Sequence, residues 1–163
     1  MTDDDWLSER EGQAWRGFLA LRAVLDLQIG RDLATDSGLS EADYHVLATL
    51  SVAAQGRLRL TELGEGMLWS TSRTAHQVSR MQRRGLVRKT NLPDNARAAV
   101  ITLTDVGTTV IQAAAPHHVA SVRRHLIDHL SGDQLDSLAE AGKAVAANNR
   151  SAPVQGRDRA PKG

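Results

Sequence analysis

One stretch of the 163-residue chain repeats side chains that bind anions and base edges. The repeating residues are Arg73, Gln77, Arg80 and Arg84, with His76 beside them. At about 100° per residue of a helix, the four fall within about 60° of one another. Arginine donates in pairs to guanine and to phosphate, and glutamine pairs with adenine, so this stripe predicts contacts with nucleic acid. A polar helix face that is only solvated is the alternative that the spacing leaves open.

The basic charge of the chain is concentrated around this stripe. Residues 57–97 hold nine basic and three acidic residues, a net charge of +6, whereas the formal net charge of the whole chain is +1. Eight of the nine bases are arginine, a residue suited to planar contacts with phosphates and base edges. The block therefore favours a surface that binds a polyanion, with a solvated arginine-rich face as the alternative.

Composition and motifs exclude several classes of protein. The length fits one domain, and the absence of cysteine excludes disulfides, cysteine-ligated zinc and thiol redox chemistry. The sequence holds no phosphate-cradling glycine loop, nucleophile elbow or framed carboxylate pair, so we expect neither an enzyme nor a cofactor. The acidic N-terminus lacks the apolar segment of a secretory signal, and no apolar run approaches the roughly 18 residues of a membrane span. We expect a cytoplasmic, nucleoid-associated protein with no membrane partner.

Capping residues and apolar periodicity predict six helices, one short strand and a β-hairpin. The expected helices cover about residues 8–35, 41–55, 62–68, 71–84, 105–130 and 132–148, and the expected strands cover 58–60, 86–92 and 98–103. Thr61 is expected to cap the third helix, Gly85 to end the fourth, and Pro116 to kink or split the fifth. Two helices joined by a tight turn and followed by a hairpin form the winged helix-turn-helix plan. We therefore predict a mainly α-helical fold with a small β-hairpin wing.

A series of short segments carries a family resemblance. They are Leu39–Leu50, Leu60–Leu63, Ser70–Arg73, His76–Met81, Arg84–Arg88, Val100–Gly107 and His118–Arg124, with Leu130-Ser131 and Gln134-Leu135 after them. Together they resemble the MarR family of bacterial transcriptional regulators, over about residues 8–147. Each segment is a weak signal alone. Two motifs bracket the hairpin and are fairly specific as a pair: Arg84-Gly85-Leu86-Val87 before it and Leu103-Thr104-x-x-Gly107 after it.

The resemblance implies a homodimer in which the first, fifth and sixth helices of two subunits interlock. It assigns residues 1–36 and 104–148 to a helical dimerisation region and 37–103 to the winged helix-turn-helix, and 149–163 is left as a disordered tail. Family members bind pseudo-palindromic operators, mostly repress, and often release DNA when a small aromatic ligand binds. We expect a sequence-specific repressor whose partners are double-stranded DNA, a second copy and a small aromatic effector. The alternatives are a winged-helix protein-interaction module and a nonspecific architectural DNA-binding module.

The residues expected to contact DNA come from the fourth helix and the hairpin. They are Ser70, Thr71, Ser72, Arg73, Thr74, His76, Gln77, Arg80, Arg84, Arg88, Asn95 and Arg97. The hydroxyls of residues 70–72 suit both capping of the helix and contact with a phosphate at its N-terminus. The resemblance places the Asp-x-Arg wing tip of the family at Asn95 and Arg97. Asn95 accepts a hydrogen bond but forms no ion pair, so Asp94 is the alternative support for Arg97.

Aromatic and histidine residues raise the question of what the protein senses. The candidate lining of an effector cleft, with core packing as the alternative, is Trp15, Tyr44, His45 and His117. His125 and His129 have the i, i+4 spacing of a zinc pair, but no fuller ligand set accompanies them. We therefore expect no metal, and exposed or interface histidines instead. Trp69 is expected to pack the two helices of the helix-turn-helix together.

Overall fold

The computed structural model of the protein describes residues 6–92 and 95–149, without the side chains of 92 and 95–98. The helices are α1 (Glu9–Ser37), α2 (Glu41–Ser51), α3 (Leu60–Gly66), α4 (Thr71–Arg83), α5 (Asp105–His125) and α6 (Gly132–Asn149), and the strands are β1 (Arg57–Arg59), β2 (Val87–Leu92) and β3 (Asn95–Leu103). Short 3-10 turns lie at Ala54–Gly56 and Ile127–His129. The sequence predicts a disordered tail over residues 149–163. All of this tail after Asn149 lies outside the described residues.

Local hydrogen bonds define most helix starts. Ser8 and Glu11 form a reciprocal capping box at α1, with the Ser8 amide donating to Glu11 Oε2 over 2.8 Å. Ser131 and Gln134 form the same arrangement before α6, and Thr104 accepts the Gly107 amide at 3.0 Å at the start of α5. A capping side chain satisfies an amide that has no partner inside the helix, so these boundaries follow from residues three apart.

Several expected helix ends differ from the structure: α2 ends at Ser51 rather than at residue 55, and α5 ends at His125 rather than at residue 130. Helix α3 begins at Leu60 rather than at Glu62, because the Glu62 carboxylate accepts the Arg59 amide at 2.8 Å and replaces a Thr61 cap. Pro116 does not split α5, which runs uninterrupted from Asp105 to His125. The proline side chain is exposed on the outer surface of that helix, where its missing amide proton leaves one carbonyl to solvent.

The three strands form one antiparallel sheet in the order β1-β3-β2. The register places Thr102 opposite Arg57 on one side and opposite Arg88 on the other. A β-bulge after Asn91 shifts the register towards the hairpin tip. The hairpin predicted from the sequence is therefore present, and β1 adds a third strand at its base.

A single apolar core joins α2, α3, α4, the sheet and the C-terminal part of α1. Its fully buried side chains include Val46, Leu47, Leu50, Leu63, Val78, Met81 and Ile101. Helix α5 packs on α1 through a polar cluster as well. Asp32 Oδ2 accepts the Ser121 hydroxyl at 2.6 Å and lies 3.0 Å from His125 Nε2 and 3.4 Å from Arg124 Nη1. The Ser121 hydroxyl above all, with His125 and Arg124, holds the pKa of Asp32 below its ordinary value.

The chain divides into two compact units, one ending at Asp128 and the other beginning at His129. In the first unit, α1 buries only Ile29 and Leu33 and leaves a series of large apolar side chains exposed: Trp15, Phe18, Leu19, Val24 and Leu27. In the second unit, α6 has no buried residue, and its Leu138 and Val145 are exposed. Within the described residues, no helix combines the length and the apolar character that crossing a bilayer requires.

Candidate nucleic-acid interface

The turn between α3 and α4 brings the two helices into close contact. The Trp69 amide donates to the Gly64 carbonyl over 2.9 Å, and Leu68 adopts a positive φ of 54°, a backbone conformation that few branched residues occupy. A Cβ at Gly64 would lie 2.9 Å from Thr74 Oγ1, so only glycine permits this spacing. The turn thereby places the N-terminus of α4 at the protein surface.

The N-terminal turn of α4 presents hydroxyl groups and one supported arginine. Ser70 is the N-cap and accepts the Arg73 amide at 3.3 Å, as the sequence predicts. The side chains of Thr71 and Ser72 are exposed. The Arg73 guanidinium stacks on the Trp69 ring, 4.1 Å from its centroid. Amides, hydroxyls and a cation at one helix N-terminus are suited to binding a phosphate.

Two residues expected on the outward face of α4 are instead buried. Thr74 is fully buried and its hydroxyl donates to the Ser70 carbonyl at 3.0 Å. Gln77 is 7% exposed, and its Nε2 donates to Asp43 Oδ1 at 2.7 Å. The expectation that both residues contact DNA is corrected, because Thr74 packs against Gly64 of α3 and Asp43 of α2 engages the Gln77 amide.

Arg84 is half-exposed but its guanidinium is already engaged. Nη1 lies 2.6 Å from Asp43 Oδ2, and Nη2 donates to the Gly38 carbonyl at 3.1 Å. Two bonds to its own subunit leave fewer donors for an external ligand. Arg84 therefore does not share a free outward stripe with Arg73 and Arg80.

The outward face of α4 is displaced from the predicted stripe by about a quarter turn. Buried Thr74, Val78 and Met81 define the inner side of the helix, and at about 100° per residue the opposite side holds His76 and Arg83. We name this exposed surface the reading face, and it consists of Ser72, Arg73, His76, Ser79, Arg80 and Arg83. The sequence analysis missed Ser79 and Arg83, although centring the wheel on the apolar residues would have found them.

The sheet adds further cations beside α4. Arg88 of β2 is exposed, as expected, and the register places it across Thr102 from Arg57 of β1. Residues in one cross-strand row point to the same side of a sheet, so Arg57 and Arg88 share one face. The sequence analysis counted Arg57 in the basic block without placing it. Asn95 and Arg97 belong to β3, but their side chains lie outside the described part of the structure.

A small crevice between α1 and α5 contains one of the predicted cleft residues, His117. Its other lining residues are Asp32, Leu33, Asp36, Ser37, His118 and Ser121. The rings of Tyr44 and His118 lie 4.1 Å apart at the edge of this crevice. The crevice has no space even for a water molecule, so this conformation has no room for a ligand.

Burial affects both aromatic side chains at the crevice. Burial raises the pKa of Tyr44, whereas burial and the neighbouring His45 lower the pKa of His118. Among the described residues, neither His118 Nδ1 nor Ser37 Oγ has a hydrogen-bond partner, although both atoms are buried. The sequence analysis missed His118, which follows the buried Ala114 by one helical turn.

Trp15 lies apart from the crevice. It is half-exposed and stacks on Phe18 with ring centroids 5.6 Å apart. At 1.5 Å per residue, the 17 residues of α1 between Trp15 and Asp32 span about 26 Å. Within one subunit, Trp15 therefore does not join Tyr44, His45 and His117.

The fold is a winged helix-turn-helix DNA-binding fold. It consists of a three-residue strand, two helices joined by a tight turn, and a hairpin that closes a three-stranded sheet. Comparison with known proteins gives the family. The MarR family model matches residues 39–99. AbsC, a MarR family transcriptional regulator from Streptomyces coelicolor, is 38% identical, with 90% of this chain and 99% of that chain covered and a TM-score of 0.84. The chain belongs to the MarR family of transcriptional regulators.

Two further solved structures share this fold. Sco3205, a MarR family transcriptional regulator from Streptomyces coelicolor solved in complex with DNA, is 32% identical, with 96% of this chain and 97% of that chain covered and a TM-score of 0.84. The organohalide-sensing regulator RdhR-CbdbA1625, in its 2,4-dichlorophenol-bound form, is 16% identical, with 92% and 86% covered and a TM-score of 0.77. At that identity it shows the fold alone. No curated protein matches the chain.

Proposed function

We propose that this protein is a homodimeric repressor that binds a pseudo-palindromic operator through the reading face of α4. The observation that carries the proposal is the concentration of three arginines on that face, on a helix whose other side is fully anchored in the core. Sco3205, which is 32% identical over nearly the whole chain, was solved with DNA and supports the same use of the fold here. The proposal is for a DNA-binding regulator and not for an enzyme.

Exposed apolar surface supports the dimer. Soluble monomers rarely expose contiguous apolar patches of more than a few hundred Å², yet α1 exposes Trp15, Phe18 and Leu19 within about 100° of one another on one face, the α1 apolar cluster. A second copy is the partner that would cover this cluster, because closed two-fold dimers are the commonest assemblies of this kind. Two reading faces in such a dimer would meet half-sites about one helical turn apart.

We further propose that a small aromatic effector releases the DNA. His117 and His118 line the crevice between α1 and α5, and Tyr44 packs on the His118 ring, so the crevice supplies aromatic rings and, among the described residues, buried polar atoms without a partner. The 2,4-dichlorophenol-bound neighbour has the same fold, so 2,4-dichlorophenol is a suitable first probe. The crevice must open for this ligand to enter, and we expect the probe to weaken operator binding.

Selection of bound genomic fragments, followed by mobility-shift titration, tests the DNA-binding proposal. A specific regulator retards a few fragments, including DNA flanking its own coding region, in the presence of excess random duplex. An architectural protein retards every fragment equally, and a protein-interaction module retards none. A reporter placed behind the selected operator then gives the sign of regulation, since loss of a repressor raises expression. Arg80→Ala should weaken operator binding, whereas Arg123→Ala, a matched exposed arginine on α5, should not.

A further inference from the structure

One buried carboxylate connects α2 to two positions on α4. Asp43 is 3% exposed. Its Oδ2 accepts the Ser40 amide at 3.0 Å, the Ser40 hydroxyl at 2.8 Å and Arg84 Nη1 at 2.6 Å, and its Oδ1 accepts Gln77 Nε2 at 2.7 Å. The residue that caps α2 therefore also holds α4. We name Asp43, Gln77 and Arg84 the α2–α4 clamp.

The charge of Asp43 is stabilised where it lies. Burial alone would raise the pKa of its carboxyl, but the Ser40 hydrogen bonds and the Arg84 guanidinium hold that pKa below its ordinary value. The group is thus ionised near neutral pH and its hydrogen bonds are charge-assisted, which makes them short and directional. A buried ion pair of this kind is a poor source of stability relative to apolar packing, and its better-attested role is to specify one arrangement.

The spacing of the two anchors determines what the clamp controls. Gln77 and Arg84 are seven residues apart, which is about 10 Å along the axis of α4. One contact would let the helix pivot about a point, whereas two contacts at that separation fix its tilt. Arg84 also donates to the Gly38 carbonyl, so the C-terminal end of α4 is tied to the junction of α1 and α2. The reading face adjoins the clamp on the same helix, since Arg73 and Arg80 lie within about 60° of Gln77 and Arg84 around its axis.

We propose that Asp43 is a positioning residue for base recognition, which sets the tilt of α4 and thereby the register of its reading face in the major groove. This inference rests on the proposed DNA-binding function. Hydrogen bonds to base edges tolerate only a few tenths of an ångström, whereas the attraction between arginine and phosphate falls off slowly with distance. A change of tilt therefore affects binding to the operator more than binding to random DNA.

The test compares Asp43→Asn with Asp32→Asn on the operator obtained by genomic selection and on a random duplex of equal length and salt. Asp43→Asn keeps the shape of the side chain and removes its charge. We expect operator affinity to fall about tenfold or more, the loss typical of a base contact, with random-duplex affinity nearly unchanged. Asp32→Asn is the matched control, since Asp32 accepts hydroxyl, histidine and arginine donors but makes no hydrogen bond or ion pair to α4 within the described residues. It should leave the ratio of the two affinities unchanged.

Other outcomes separate the two proposals. Equal losses on both duplexes, or no loss on either, would mean that the clamp is only structural. If Asp43→Asn does not fold, Arg84→Gln removes one anchor while Asp43 keeps Ser40 and Gln77, and it should show the same selective loss. Arg84→Lys keeps the charge but not the fork that reaches Gly38, so its loss should be intermediate. If the wild-type protein prefers no sequence, the proposed function and this inference both fail. If the wild type prefers the operator and Asp43→Asn keeps the same preference, only the role of the clamp is overturned.

Discussion

The guanidinium carbon of Arg73 lies 4.1 Å from the centroid of the Trp69 indole ring, one helical turn earlier in the chain. Trp69 is the last residue but one before α4, and Arg73 lies in the first turn. Stacking covers one face of the guanidinium and leaves its N–H edges free to point away from the protein. The ring therefore holds the arginine in an orientation that suits paired donation to a phosphate or a base.

We predict that Trp69→Leu weakens operator binding by about 0.5–2 kcal/mol, the range of a cation–π contact. The reason is that Arg73 loses its orientation but keeps its charge. The measurement is a double-mutant cycle with Arg73→Ala by fluorescence anisotropy. Additive effects of the two substitutions would show that Trp69 acts independently of Arg73. Trp15→Leu, which removes an indole from α1 instead, is the control for loss of a partly exposed tryptophan.

Replacing Arg80 or Arg83 by alanine should reduce the salt dependence of DNA binding. Each phosphate contact that is lost should lower the slope of log affinity against log salt by about 0.9. Titrations at several salt concentrations, on operator and on random duplex, provide the slopes. Arg22→Ala on α1 is the control, because Arg22 is exposed and pairs with Asp26 away from α4. Slopes that stay at the wild-type value in both variants would remove these residues from the interface.

Gly107→Ala should destabilise the fold by about 1–3 kcal/mol, the range of an overpacked site. A Cβ at this position would overlap the Leu86 carbonyl oxygen, where the start of α5 meets the start of β2. Urea unfolding followed by circular dichroism measures the change. Gly142→Ala in α6 is the matched control, since a Cβ there meets nothing within 4 Å, and alanine should instead favour the helix. A Gly107→Ala protein as stable as the wild type contradicts the close contact.

The stability of the protein should fall as pH decreases through 6.5, in part because of His118. Burial and His45 lower the pKa of His118 below its ordinary value of 6.5 in the folded state, so the unfolded chain takes up a proton first. The contribution of His118 to the free energy of unfolding therefore decreases as pH falls from 6.5 to the lowered pKa and is constant below it. Urea unfolding between about pH 8 and pH 5 should show a shallower dependence in His118→Phe, which keeps a ring beside Tyr44. Identical profiles would exclude His118 as the cause.

Phe18→Glu should convert the proposed dimer into a monomer, since it places a charge among the exposed apolar side chains of Trp15 and Leu19 on α1. Size-exclusion chromatography with light scattering reports the mass. Gln13→Glu, at an exposed position about 140° from Phe18 around the same helix, serves as the control for one added negative charge. A Phe18→Glu protein that remains dimeric would place the interface elsewhere.

The parts of the fold that were predictable from the sequence depend on neighbours along the chain. Ser8, Ser40 and Thr104 each cap a helix through a residue three positions away, so pattern alone identifies them. The orientation of Gln77 depends instead on Asp43, 34 residues earlier. A polar side chain on a helix resembles a solvent-facing one until its buried partner is known, which is why the predicted stripe was rotated from the reading face.

The contact between Gly107 and Leu86 couples the position of the hairpin to the orientation of α5. Because the first turn of α5 and the base of β2 touch without an intervening side chain, a rotation of α5 carries the hairpin with it. The eight steps along β3 from Leu103 back to Asn95 span about 26 Å at 3.3 Å per residue. A rotation of about 5° at the base would therefore displace the far end by about 2 Å, so a shift too small to disturb the hydrophobic core is magnified where the hairpin reaches outward.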